Sequence, residues 1–555
     1  MPKFLVRHLK PLSLVLGVFG IYLTYIFINI IKIKPDGVYL GHDHVWADWP
    51  LHIGIAGIFA TRSPENWFNH HPMYAHGKFT YSFLMDFISG ILMRVGFGVE
   101  FAFILPSIIL SIFLIIGMYI LIYLVSGRAK ISVIAIFIFF LASGPGFLGY
   151  LSDMGQNPNL DNLTYPQKHY SRNDNYAWYA GNFIVGMLVP QRNFLLGLTI
   201  GVWSLGALVY GLRLSKIGKR EKTYLIIGGI GAGLLAISHV HSLIVVTIIC
   251  SIICLGLFQK IKTWVYFALP ASITALILYF TFIAGGVENK EFFRMQIGFT
   301  SKGDFLDWVI MWIRVWGVML PVALYGFFKF PNRNLVGKMF LLGIFVVFGI
   351  ANLVLFQPIE WDNSKLFLWS YLGFSILASY VIVGLFENKR YSVFCKISGL
   401  VILICLCLTG VTELVRYANI ERNSYQGISR EDMNLGDQVR WNTDETAVFL
   451  TTTSTNHWVM MWASRPIMMG FVGWVNNFGF LYNQRLTDMG IMFRGESGTR
   501  ELFEKYNICY VVIGMGEIMD FSANEQYYAT NYTLEFSNDR NKVYKVCNNG
   551  YSNSN

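Results

Sequence analysis

The chain has 555 residues, 54% of them hydrophobic and only 14% charged, with a formal net charge of +10. Soluble domains carry about 25% charged residues, and a water-exposed surface this apolar aggregates; composition therefore excludes a soluble enzyme, a disordered chain and a secreted disulfide scaffold. The positive balance does not single out nucleic acid, because membrane proteins collect Lys and Arg in their cytoplasmic connections.

A helix that crosses a bilayer needs about 20 mostly apolar residues. In chain order the sequence predicts eleven such spans, over 12–33, 100–126, 130–148, 188–213, 223–239, 242–259, 263–284, 305–329, 337–356, 366–386 and 397–417. A twelfth apolar run, 81–97, is short and carries Asp86 and Arg94. The basic connectors include Lys3, Arg7 and Lys10 at the start, Lys219 and Arg220 in the middle, and Lys389 and Arg390 late in the chain. They share one side of the membrane only if 81–97 does not cross, so that run is read as an interfacial or re-entrant helix on the outer side. The N-terminus is then cytoplasmic, and outer loops cover about 34–99 and 149–187.

The expected fold class is mainly α, a polytopic transmembrane bundle of about eleven spans over 1–417, followed by a small extracytoplasmic α/β domain over 418–555. In that polar tail, Thr446–Thr453, Ile508–Gly514 and Lys542–Val546 read as strands and Thr499–Tyr506 as a helix. Five of the seven cysteines lie in or beside apolar runs and read as small hydrophobes. Cys509 and Cys547 lie in the tail and can pair if it faces an oxidising space.

Charged groups at membrane depth cost about 2.5–3.5 kcal/mol each, so they usually have a function. Here nearly all of them fall at the outer ends of spans. The first outer loop opens with Gly41-His-Asp43-His-Val-Trp-Ala-Asp48-Trp-Pro-Leu-His52. Asp48 stands where an N-cap belongs and Pro50 in the first turn; the run Leu51–Ala60 is expected to lie on the membrane. Asp48 and His52 are four apart and share a helix face. A carboxylate at this place can serve as general base or hold a metal, with Asp43 as the second acid; the plain alternative is a capping acid beside an interfacial histidine. His71 and Lys78 follow, as phosphate or metal ligands or as a solvated loop. Asp86 invites a neutralising partner such as Arg94.

Pro190 breaks the entry to the span at 188–213, so Gln191 and Arg192 are expected to face a cavity, where the guanidinium can bind phosphate. His239 and His241 mark the outer turn between two short spans and are read as phosphate or carboxylate partners. Trp361, Asp362 and Lys365 close another outer turn, with Lys365 in reach of a pyrophosphate. Arg314 is read as facing the bundle. Acids, imidazoles, Arg and Lys on one membrane face suit a ligand with a lipid tail and a phosphate head. They suit ion conduction less, because no polar stripe runs through to the other side.

In the order of its parts the chain resembles a polytopic glycosyltransferase of the GT-C superfamily. One span is followed by a long outer loop whose first helix opens on an acid, Asp48 in ADWPLHIGIAGIF; then come a His-Pro/aromatic segment with an interfacial helix (HHPMYAHGKFTYSFLMDFISGIL), a helix bundle and an outer α/β tail. The resemblance implies transfer of a sugar from a polyprenyl-phosphate or polyprenyl-diphosphate donor at the outer face. It puts the catalytic role on Asp48, with Asp43 second, and donor-phosphate binding on Arg192, Lys365, His239 and His241. His52, His71, Lys78, Gln191, Trp361 and Asp362 complete the candidate substrate-binding set. The implied cofactor is a divalent cation, Mg or Mn, with Asp43, Asp48 and His52 as the ligand candidates if one is used. The first loop lacks the family's Asp-Glu, Asp-x-Asp and Glu-x-Asp pairs; its acids are five apart.

The expected partners are the lipid-linked donor, the bilayer and an acceptor that is a glycan, a lipid or a protein, with no nucleic acid. A prokaryotic cell membrane is expected ahead of the endoplasmic reticulum. Two other classes compete: a transporter or flippase of a lipid-linked or anionic solute, and a non-catalytic membrane subunit.

Overall fold

The computed structural model describes residues 2–41, 48–80, 82–288, 293–388 and 392–547. The chain forms two compact units, one of residues 1–29, 107–281 and 293–423 and the other of 30–106, 282–292 and 424–555.

The first unit is helical. Among the described residues seven helices in the chain are long and apolar enough to cross a membrane, or eight if one bent pair counts as a span. The long ones include Arg192–Arg213, Val240–Leu257, Ile261–Ile283 and Val393–Ala418. Four of the eleven expected spans are not among those seven: 223–239 forms the helix Lys219–Ser238, which falls outside them, and three others are shortened or broken. The stretch 130–148 yields a helix only over Ala129–Phe140, about 18 Å long against a hydrocarbon core of about 30 Å. The stretch 337–356 yields Leu335–Ala351, also in the shorter class. The stretch 305–329 breaks into Phe305–Trp316 and Met319–Lys329, bent by 92°. The break falls at Gly317, whose φ of 59° a residue with a side chain rarely adopts. Arg314, on the first half of that pair, is exposed rather than turned into the bundle.

The second unit is built on two sheets. The hairpin Ile31–Lys34/Gly37–Gly41 is extended by Ser424–Ser429, all antiparallel, with Val38 opposite Ile428. The other sheet has the order Val448–Leu450, Ile508–Gly514, Asn541–Lys545, Thr533–Ser537. Its first pair is parallel, and the remaining pairs are antiparallel. A parallel pair needs a crossover, supplied by the helices Val472–Asn477, Asn483–Arg494 and Thr499–Lys505. The strand Ile508–Gly514 is buried along most of its length, as its unbroken apolar run requires. Its core joins Val511 and Ile513 to Met489, Met492, Phe493 and Tyr528.

The helix Asp48–Thr61 also belongs to this unit. Leu51–Phe59 are all buried, so the expectation that Leu51–Ala60 lies on the membrane is corrected. The run is apolar on every side, and such a helix is enclosed by protein rather than laid on a surface. One flank receives the helix Leu84–Arg94, from the stretch expected to be interfacial. Gly90 makes that approach possible: a Cβ there would sit 2.5 Å from the Ala56 carbonyl oxygen and 2.6 Å from Phe59 Cβ.

Candidate functional site

In the second unit Asp48 opens its helix, with Oδ2 buried. The neighbour that sequence reasoning missed is Tyr425, on the strand Ser424–Ser429. Burial and then the Asp48 charge push its hydroxyl above the ordinary phenol range. A strand residue almost 380 positions away leaves no local signal beside Asp48. Asp43, the second predicted acid, lies outside the described residues.

His52 has a different partner from the one its spacing suggested. Its Nδ1 lies 3.0 Å from Asp86 Oδ2, and both side chains are buried. Asp86 is thus paired with His52 and not with Arg94, whose Nη1 donates to the carbonyls of Phe59 and Arg62. A buried carboxylate requires such a partner. Among the described residues no three His, Cys, Asp or Glu side chains form a group that could hold a metal. Of the three candidate ligands, His52 is hydrogen-bonded to Asp86, Asp48 is a described acid and Asp43 lies outside the described residues.

His71 is enclosed by the rings of Phe79, Phe478 and Phe480. Burial drives its imidazole down to about 3, so it is neutral at physiological pH and cannot act as a cationic phosphate ligand. Its Nδ1 accepts the Met73 N–H at 3.2 Å. Lys78 donates to the Ala284 carbonyl.

In the first unit the predicted outer-turn residues meet. His239 caps the helix Val240–Leu257 through its side chain. Nδ1 accepts the Ser242 N–H at 3.1 Å, so the ring proton is on Nε2. Nε2 of His239 and Nε2 of His241 are both buried without a hydrogen-bond partner among the described residues, and the two rings are 5.5 Å apart. The turn Glu360–Asn363 brings Asp362 and Lys365 to them. Lys365 Nζ lies 2.5 Å from Asp362 Oδ1, its charge acts on both imidazoles, and it stands 6.0 Å from the Trp361 ring. Asp362 Oδ2 is also buried without a partner among the described residues.

Arg192 begins the helix Arg192–Arg213 directly after the helix-capping position of Gln191. It is fully buried, and its Nε donates to Ser107 Oγ at 3.3 Å. The first turns of the same helix reach His239: the Phe194 ring lies 4.8 Å from the imidazole, and a Cβ on Gly197 would come within 2.3 Å of His239 Cβ. The helix N-terminus, with its partial positive charge, therefore packs at the histidine turn.

No protein-family model and no curated protein matches the sequence. Solved structures do match in fold. The oligosaccharyltransferase of Archaeoglobus fulgidus, in its apo form, superposes over 94% of this chain and 70% of its own, with a TM-score of 0.53 and 15% identity. The same enzyme in complex with an inhibitory peptide and a dolichol-phosphate gives 0.52 over 94% and 70%, again at 15% identity. The mycobacterial arabinofuranosyltransferase AftD gives 0.52 at 12% identity, over 97% of this chain but only 42% of its own. All are GT-C glycosyltransferases, and the fold of this chain is the GT-C fold.

Proposed function

We propose that the protein is a membrane glycosyltransferase that moves a sugar from a polyprenyl-phosphate or polyprenyl-diphosphate carrier to an acceptor at the outer face of the membrane. The observation that carries this reading is the set of orphaned polar atoms around His239. Buried polar groups in native proteins nearly always have partners, and a buried N–H left unpaired costs about 1–3 kcal/mol. Among the described residues His239 presents an Nε2 proton with no acceptor, His241 adds a second unpaired ring nitrogen, and the Lys365 charge acts on both. A phosphate oxygen satisfies such donors. Asp362 neutralises Lys365 in formal charge, and the N-terminus of the helix Arg192–Arg213 adds the partial positive charge that favours an anion. Archaeoglobus oligosaccharyltransferase has been seen with dolichol-phosphate, which supports a carrier of this class.

On this reading His239, His241 and Lys365 serve phosphate recognition and Asp48 serves proton removal. Asp48 takes the proton from the acceptor nucleophile, which attacks the anomeric carbon. The C–O bond to the carrier phosphate breaks as the new glycosidic bond forms, and the phosphate leaves as an anion stabilised by the N–H donors. A single displacement inverts the anomeric centre. Tyr425, whose hydroxyl feels the Asp48 charge, is the group we propose to orient the carboxylate. Asp43 is the second acid, and a divalent cation would be held by it together with Asp48.

The test is transfer from a labelled polyprenyl-linked sugar in proteoliposomes. Asp48→Asn is expected to lower turnover by 10²-fold or more, the scale of a lost general base, with donor binding retained. His239→Ala and Lys365→Ala are expected to raise the donor KM. Full transfer by Asp48→Asn removes the proposed base, and unchanged donor KM in both other variants removes the phosphate site.

A further inference from the structure

The C-terminal part of the second unit contains a cavity of about 320 Å³ that the steps above do not use. That is the low end of the range for small-molecule sites. Its walls are polar, and they come from four places in the sequence: the strand Ser424–Ser429, the segment after Val448–Leu450, the helix Met515–Phe521 and the turn before Asn541–Lys545.

Much of the wall is pre-organised. Glu517 is buried and accepts three hydrogen bonds, from Thr452 N at 2.9 Å, Gly514 N at 3.0 Å and His457 Nε2 at 3.1 Å. The His457 Nδ1 accepts the Val459 N–H at 3.3 Å, so the ring is the neutral Nε2–H tautomer and is spent on holding Glu517. Asp432 is held by the amides of Asn538 and Asn541 at 3.0 and 2.8 Å and by the Ser429 hydroxyl at 2.9 Å. These are struts. The groups left to a ligand are different ones. Asp520 is exposed to the cavity and spends one oxygen on the Thr452 hydroxyl. Arg540 is exposed at the rim, with its Nε 3.4 Å from Glu431 Oε2. Trp458 is 4% exposed, and its Nε1 is buried with no hydrogen-bond partner among the described residues.

The chemistry of this wall is selective. Three carboxylates against one guanidinium leave the cavity negative, which opposes phosphate, sulfate and uronate. Acceptor-only carboxylate and donor-only guanidinium and indole N–H groups, set around a small polar space, match a ring of hydroxyls, each of which both donates and accepts. A peptide added as a strand needs a free sheet edge. Here the Gly427 carbonyl on the edge strand is already taken by Asn456 Nδ2 at 2.7 Å. We propose that this cavity is a saccharide-binding subsite for a neutral or amino-bearing sugar unit. The transferase reading supplies its use, as the place where a sugar of the acceptor or of the donor is held, but binding itself does not depend on that reading.

The experiment uses the full chain in nanodiscs and saturation-transfer NMR with titration. The probes are methyl α-mannoside, methyl β-glucoside, methyl β-N-acetylglucosaminide, glucosamine, glucuronate and a short Asn/Thr-containing peptide. At least one neutral or amino glycoside is expected to saturate with a Kd of about 1 mM. Asp520→Asn and Arg540→Ala are each expected to weaken it about tenfold, the worth of one charge-assisted hydrogen bond. Both residues are exposed, so the fold is retained, which the unfolding temperature verifies. Competition by the lipid-linked donor marks the bound sugar as the donor's; simultaneous binding marks it as the acceptor's. The proposal is overturned if no glycoside binds, if binding ignores both variants, or if glucuronate or the peptide is preferred. Glycoside binding without any transfer sinks the transferase reading alone, and transfer without glycoside binding sinks the cavity alone.

Discussion

Replacing Glu517 with Gln tests how the C-terminal sheet is locked. The carboxylate is 2% exposed and meets three donors, two of them backbone N–H groups from different segments. An amide keeps one acceptor oxygen. If that oxygen stays on Thr452 and His457, the new NH2 group faces the Gly514 N–H, and two donors are buried against each other. Each unsatisfied buried donor costs about 1–3 kcal/mol, and the lost charge assistance adds to it, so the variant is expected to lose about 2–4 kcal/mol. For a unit of roughly 200 residues that is ~5–15 °C in unfolding temperature, read by intrinsic fluorescence or calorimetry at pH 7.

The effect also has a pH signature. Burial alone would raise the Glu517 carboxyl, but the His457 hydrogen bond and the backbone donors outweigh it and hold the group below its usual 4.5. A depressed carboxyl contributes stability that is complete above the unfolded value and disappears as pH falls through the folded one. The gap between the native protein and Glu517→Gln is therefore expected to be full at pH 6–7 and to narrow below about 4.5. An unfolding temperature unchanged at pH 7, or a gap that widens in acid, would refute the lock.

Three further outcomes follow from the geometry. Gly90→Ala is expected to push the helix Leu84–Arg94 off Asp48–Thr61 and cost about 1–3 kcal/mol, seen as a lower unfolding temperature and faster proteolysis. Asp86→Ala, which leaves His52 buried without its carboxylate, is expected to cost about 3–5 kcal/mol, whereas Asp86→Asn keeps an acceptor and costs less; equal losses in the two would place the effect in packing. All seven cysteines are free thiols, but the Cys509 and Cys547 thiols interact, and that interaction lowers the Cys547 thiol below its ordinary range. Mild oxidant near pH 7.5 is expected to join Cys509 to Cys547, as read by peptide mapping, and Cys547→Ser to abolish the link.

What could be read from the chain alone was what depends on local composition and period. Apolar runs of bilayer length, the helix opened by Asp48 ahead of Pro50, the histidine turn at His239, the cluster at Trp361–Lys365 and the strand Ile508–Gly514 are all encoded within a few turns of chain, where burial and capping act directly. Run length was less informative where a break intervened: nothing in the hydropathy of 305–329 distinguishes a straight span from one turned by 92° at Gly317.

The tertiary structure decided which distant groups meet. Val38 pairs with Ile428 across a sheet, so the first loop and the tail, separate by composition, share one unit. His52 meets Asp86, and the Asp48 charge reaches Tyr425. The polar cavity gathers four segments between positions 426 and 541. Backbone pairing and buried-charge neutralisation are satisfied by whichever partner the fold delivers, and a one-dimensional pattern holds no record of that choice. The sequence shows polar groups gathered at the ends of apolar runs; only the fold shows which of their partners lie far away in the chain.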